Sequence, residues 1–205
     1  LYSRTFGSDQ TALVKATSFV SEIAGELVPE GEPALFLYAT PRNYIAGILA
    51  GENSRKELAG MADMRSQRLV SRGMSLPAPR TGADFAAMAW ACEMTALEAA
   101  ARQDTHWTDF DRALGDLKGS LQELADFFGL TASKQEIEII AGGPLARRYS
   151  KATEYDYSAE LRRDLLAEAA ALHGADIESA LAMLSAASET APLLRKALDR
   201  AQAES

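Results

Sequence analysis

The chain has 205 residues, with 21 lysines and arginines against 29 aspartates and glutamates, and a formal net charge of −8. That length suits one domain over 1–205 with a sizeable core, and the acidic balance argues against nucleic acid as a partner, which needs a basic footprint. The lone Cys92 excludes an intrachain disulfide, His106 and His173 lack Cys or His neighbours at metal-ligand spacing, and no long apolar run or leader pattern is evident, so the sequence predicts no metal, no membrane span and a cytoplasmic location.

In chain order, "TALVKA" at 11–16 is the first predicted strand, followed by a helix from about Ser18 to Val28. "GEPALFLYAT" supplies turn residues and then a nearly continuous apolar run, the pattern of a strand covered on both faces. Strand, helix, strand spells a βαβ unit with the two strands parallel. Thr40 is placed to cap the next helix, with Pro41 at its first position, where a missing N–H costs nothing. "SRKE" at Ser54–Glu57 matches a capping box opening a long polar helix to about Arg72, whose Arg65, Arg68 and Arg72 read as a solvated face. From Asp84 to Arg102, Phe85, Met88, Cys92, Thr95 and Ala99 recur at helical steps and predict a core helix. "HWTDFD" is a weak strand candidate.

Further on, Leu117, Leu121, Leu124 and Phe128 hold helical spacing, and Gly129 is placed to end that helix. "SKQE" at Ser133–Glu136 is a second capping box, and "GGP" stops the short helix it starts. Two amphipathic stretches complete the tail, with His173 placed as a helix-end cation before Gly174. The expected fold class is therefore α/β, with a parallel sheet of few short strands near the front and a helical majority from about residue 83.

Candidate chemistry lies at the predicted strand ends. Lys15 and Arg42 each follow a strand and precede or open a helix, the junction where unpaired N–H groups and the helix dipole favour anions. Two such junctions on adjacent parallel strands would face one crevice, where a guanidinium grips a phosphate bidentately and an ammonium adds a point charge. Each cation also reads as an ordinary solvated residue, with Thr17 or Ser18 only capping the helix. The run "ARRYSK", carrying Arg147, Arg148, Ser150 and Lys151 just after "GGP", is either a solvated turn or a ligand-closing lid. His106 reads as a general base or as a satisfied structural histidine. Hydrolase elbows and zinc motifs are absent from the sequence.

"ALVKATSFVSEIA", "PALFLYATPRNYIAGILAGENS", "LQELADFFGL" and "RRYSKATEYDYSAELR" follow one another in an order that resembles bacterial sulfotransferase-like proteins of the P-loop NTPase fold. The resemblance covers most of the chain. It implies transfer of a sulfuryl group from the co-substrate 3′-phosphoadenosine 5′-phosphosulfate to a hydroxyl or amine of a small-molecule or carbohydrate acceptor. It also implies that Arg42 holds the 3′-phosphate and that Lys15 lies on the acceptor side of the sulfuryl group. Thr17 stands where eukaryotic-type members carry the histidine base, and its hydroxyl cannot take up a proton near neutral pH. The family's clamp serine, eight residues after the arginine, is Ala50 here. Its glycine-rich phosphosulfate loop has no match, and is expected either ahead of Leu1 or not at all. By analogy, Arg147, Arg148, Ser150 and Lys151 replace the family's closing glycine-rich nucleotide segment. The departures also fit a second expectation, a catalytically silent scaffold of the same fold that binds a protein partner.

Overall fold

In a computed structural model, which describes residues 7, 10–148, 154 and 156–203, helices outnumber strands throughout. A 3₁₀ segment, Ser18–Ile23, leads into α1 (Ala24–Leu27) and then strand β1 (Ala34–Tyr38). Helices α2 (Pro41–Leu49), α3 (Glu52–Gly60), α4 (Ala62–Ser71) and α5 (Gly82–Ala100) cross over to β2 (Thr105–Asp109). Helices α6 (Phe110–Gly115), α7 (Leu117–Phe127), α8 (Lys134–Gly142), α9 (Ala159–Ser188) and α10 (Pro192–Ala203) follow. The sheet has two strands, β1 parallel to β2, with Ala34 opposite Thr105 and Tyr38 opposite Asp109.

The core is organised on α5. Its sequence, rich in alanine and apolar on nearly every face, suits a helix surrounded by neighbours, and α2, α3, α4, α9 and α10 all pack on it. Trp90 is buried near its middle in one cluster with Leu69, Ile177, Leu184 and Leu194, and Thr95 is buried further along the same helix. Thr81 and Asp84 form the capping box that starts α5. Trp90 donates its indole N–H to the Ala39 carbonyl at 2.9 Å, so the core helix holds the turn in which β1 ends.

Several expectations are met. β1 forms as predicted, Thr40 caps α2 through the Asn43 amide with Pro41 in the first turn, and the Ser133–Glu136 capping box is present. Gly129 ends α7 at a positive φ of 63°, a backbone conformation that costs glycine nothing.

Three expectations are corrected. "TALVKA" is not a strand: it runs as exposed irregular chain, with Leu13 74% and Val14 58% exposed. A β-branched run becomes a strand only where a second strand meets its N–H and C=O groups, and among the described residues none lies beside it. The partner of β1 is instead the weak candidate "HWTDFD". The long polar helix divides at Met61 into α3 and α4, and α3 starts at Glu52 without a side-chain cap, so "SRKE" is not its capping box. Arg65 and Arg72 do not form a solvated face, since Arg65 is buried and Arg72 mostly so. The break expected at His173 is present: its backbone leaves helical geometry at φ −124°, ψ 19°, so α9 is two helical stretches meeting there at a kink.

Candidate functional site at the strand ends

Both parallel strands point their carboxyl ends toward the starts of α2 and α6, the edge at which open α/β sheets collect ligands. A crevice of about 690 Å³ opens there, lined by Thr40, Arg42, Asn43, Asp109 and Arg112, with an apolar side from Leu181 and Leu198. Local sequence explains this placement. Each strand runs into a capping residue, Thr40 two residues past β1 and Asp109 as the last residue of β2, whose side-chain oxygen accepts the amide of Asn43 or Arg112.

A polar network joins the two junctions. Asn43 donates to Asp111 Oδ2 at 2.9 Å, and Arg162 of α9 donates through Nε to Asp111 Oδ1 at 2.8 Å. The Arg162 guanidinium also lies 5.4 Å from the centre of the Phe110 ring. A Cβ added at Gly47 would come within 3.1 Å of Arg162 Nη1, so the glycine lets that side chain lie against α2. These groups also line a neighbouring hollow of about 350 Å³ with Leu114, Glu160 and Arg163.

The charged groups in the crevice are less fully engaged. Arg42 is half-exposed and pairs with Glu178 of α9 at 2.7 Å, while Arg112 makes no ion pair among the described residues. Asp109 is 5% exposed. Its Oδ1 caps α6 at 2.8 Å, and its buried Oδ2 has no hydrogen-bond partner among the described residues. Burial raises its carboxyl above the ordinary range against the opposing pull of the Arg112, Asp111 and Thr40 amides. A site with two arginines, one helix start and one unsatisfied carboxyl can hold an anionic group that also carries a hydrogen-bond donor.

Of the predicted site residues, Arg42 stands in this crevice. Lys15 and Thr17 do not line it; both are exposed on the chain leading to the 3₁₀ segment, and the Thr17 hydroxyl caps nothing. The expected meeting of Lys15 with Arg42 at two strand ends fails because the first strand does not form. Arg147 and Arg148 also lie outside the crevice lining; Arg148 pairs with Asp156 at 3.1 Å and bridges it through the backbone. Ser150 and Lys151 lie outside the described residues.

His106 sits in β2, 3.5 Å from Glu123 and against the Phe127 ring, as a packed residue rather than a crevice group. Asp109, Asp111, Arg112 and Arg162 were not anticipated. Their signal was in "HWTDFDR": a short β-rich run ended by an aspartate at a helix cap, the same grammar as "LFLYATPR".

Among the described residues no group of His, Cys, Asp and Glu could hold a metal ion, and no helix is long and apolar enough to cross a membrane. Compared with known proteins, the chain matches no family model, no curated protein and no solved structure.

Proposed function

We propose that the crevice at the strand ends binds a phosphorylated nucleotide through Arg42, and that the chain is a sulfotransferase-like protein built on a P-loop NTPase-like sheet. The donor would be 3′-phosphoadenosine 5′-phosphosulfate and the acceptor a hydroxyl or amine on a small molecule or carbohydrate, in the cytoplasm. The observation that carries this reading is the position of Arg42: in the first turn of a helix that directly follows a strand of a parallel pair, facing a crevice that also holds Arg112. There the helix start and two guanidinium groups favour a phosphate together.

Sulfuryl transfer on such a site would rest on positioning and on cations that stabilise charge on the transferring oxygens. Arg42 would hold the nucleotide while Glu178, its partner in the free protein, gives way to the phosphate. Calorimetric titration with adenosine 3′,5′-bisphosphate tests the reading. Saturable binding that Arg42→Ala weakens supports it. Absence of binding by the wild-type chain overturns it in favour of the catalytically silent scaffold.

A further inference from the structure

Phosphate binding by Arg42 leaves one feature of the crevice unexplained. Asp109 Oδ2 is buried and makes no hydrogen bond among the described residues, the Thr40 and Asp111 amides drawing on the carboxylate without bonding geometry, while Asp109 Oδ1 accepts the Arg112 amide that caps α6. Native proteins leave few buried polar atoms without a partner, and each calls for an explanation; the other one here, Arg65 Nη1, belongs to the buried Arg65–Glu93 pair, whereas Asp109 lines the crevice. The rest of the crevice is donor-rich. In the first turn of α2, Pro41 has no N–H, while the Asn43 amide goes to Thr40 Oγ1 and the Tyr44 amide to the Thr40 carbonyl. The Arg42 amide is left, together with the guanidinium groups of Arg42 and Arg112. A bare anion would use these donors but leave Asp109 unsatisfied and repelled. A ligand with a hydroxyl next to its anionic group would satisfy both.

We propose that Asp109 Oδ2 accepts a hydrogen bond from a hydroxyl neighbouring the phosphate held by Arg42, which in a 3′-phosphorylated nucleotide is the ribose 2′-hydroxyl. This inference rests on the nucleotide reading above and adds a substrate selectivity to it: the crevice distinguishes ribonucleotides from 2′-deoxyribonucleotides. The physical basis is asymmetric. A site built to accept from a hydroxyl loses far more when that hydroxyl is missing than an apolar site loses with an absent atom, because its own polar group stays buried and unpaired.

The full chain is titrated calorimetrically with adenosine 3′,5′-bisphosphate and with its 2′-deoxy analogue. The expected result is binding of the ribonucleotide about tenfold or more tightly than the analogue. Asp109→Ser, which keeps one oxygen to cap α6 but removes the second, is expected to weaken the ribonucleotide to the level of the analogue. A thermal melt reports whether that variant folds, and the wild-type comparison stands without it. Equal affinities for the two nucleotides overturn the role of Asp109 and leave the nucleotide reading standing. A ribonucleotide preference that survives in folded Asp109→Ser also overturns the assignment to Asp109. Binding of neither nucleotide overturns both.

Discussion

Arg72 and Arg42 are used in opposite ways. Arg72, at the end of α4, spends its guanidinium fully: it is paired with Glu22 at 2.8 Å and donates to Thr95 Oγ1 and to the Cys92 carbonyl and sulfur. It ties the 3₁₀ segment to the core helix, and burial pushes the Cys92 thiol up to about 11 despite the cation beside it, which leaves the thiol inert. Arg200 is similar, paired with the fully buried Glu98 and lying 4.0 Å over the Trp107 ring. Arg42 has one partner, at a half-exposed surface, and Arg112 has no ion partner among the described residues. Saturated arginines hold elements together. Arginines left with spare donors beside an unsatisfied carboxyl are the basis of the binding proposal.

Substitutions on the two sides should therefore separate stability from binding. The largest expected loss is at Glu98, whose carboxylate is buried between Arg200 and Lys196. Glu98→Ala leaves the Arg200 charge against the core and should lower unfolding stability by about 3–5 kcal/mol in urea denaturation. A loss no larger than that of a surface substitution would erase the distinction. Arg42→Ala should instead weaken adenosine 3′,5′-bisphosphate by roughly 1.5–3 kcal/mol through a lost charge-assisted bond. Its melting temperature should barely move, because an exposed ion pair contributes about 0–1 kcal/mol.

Glu93 tests the buried side by pH. Burial pushes its carboxyl up to about 7, against Arg65 at 3.6 Å, and the same burial and Glu93 raise Tyr44. A carboxyl with a raised pKa binds its proton more tightly in the folded chain than in the unfolded one. Stability from this group is therefore present below the ordinary value of 4.5 and falls as pH rises through about 7. The fall should be about 1–3 kcal/mol. Glu93→Gln should remove that slope, seen as the wild-type minus variant difference in chemical denaturation at several pH values; an unchanged difference would contradict it. The smallest effect is at the crevice rim: Glu178→Gln frees Arg42 and should tighten the bisphosphate about twofold to fivefold, measured by the same calorimetry. Weaker binding would mean that Glu178 orients Arg42 rather than competing for it.

The legible parts of the sequence were those settled by local chemistry. Thr40 with Pro41, Ser133 with Glu136 and Gly129 at the end of α7 are decided within one helical turn. The apolar repeat through Met88 and Cys92 announced a helix buried on its own composition. What stayed hidden depended on distant neighbours. "TALVKA" had the residues of a strand and no strand to join, while "HWTDFD" was a weak run that gained β1 as a partner far back in the chain. Arg65 and Arg72 looked solvated because nothing near them in sequence announces Glu93 and Glu22. Half of the candidate site was visible for the same reason: Arg42 follows a clear strand, whereas Asp109 and Arg112 follow an obscure one.

We propose phosphate binding at the carboxyl edge of the parallel pair, centred on Arg42. The most direct test is a titration of isotopically labelled protein with adenosine 3′,5′-bisphosphate, following backbone amide shifts by NMR. Saturable shifts are expected, concentrated at Arg42, Asn43, Arg112 and Gln202 around the crevice. Shifts centred instead on Lys15 or on the turn Pro144–Arg147, with the crevice amides unmoved, would contradict it.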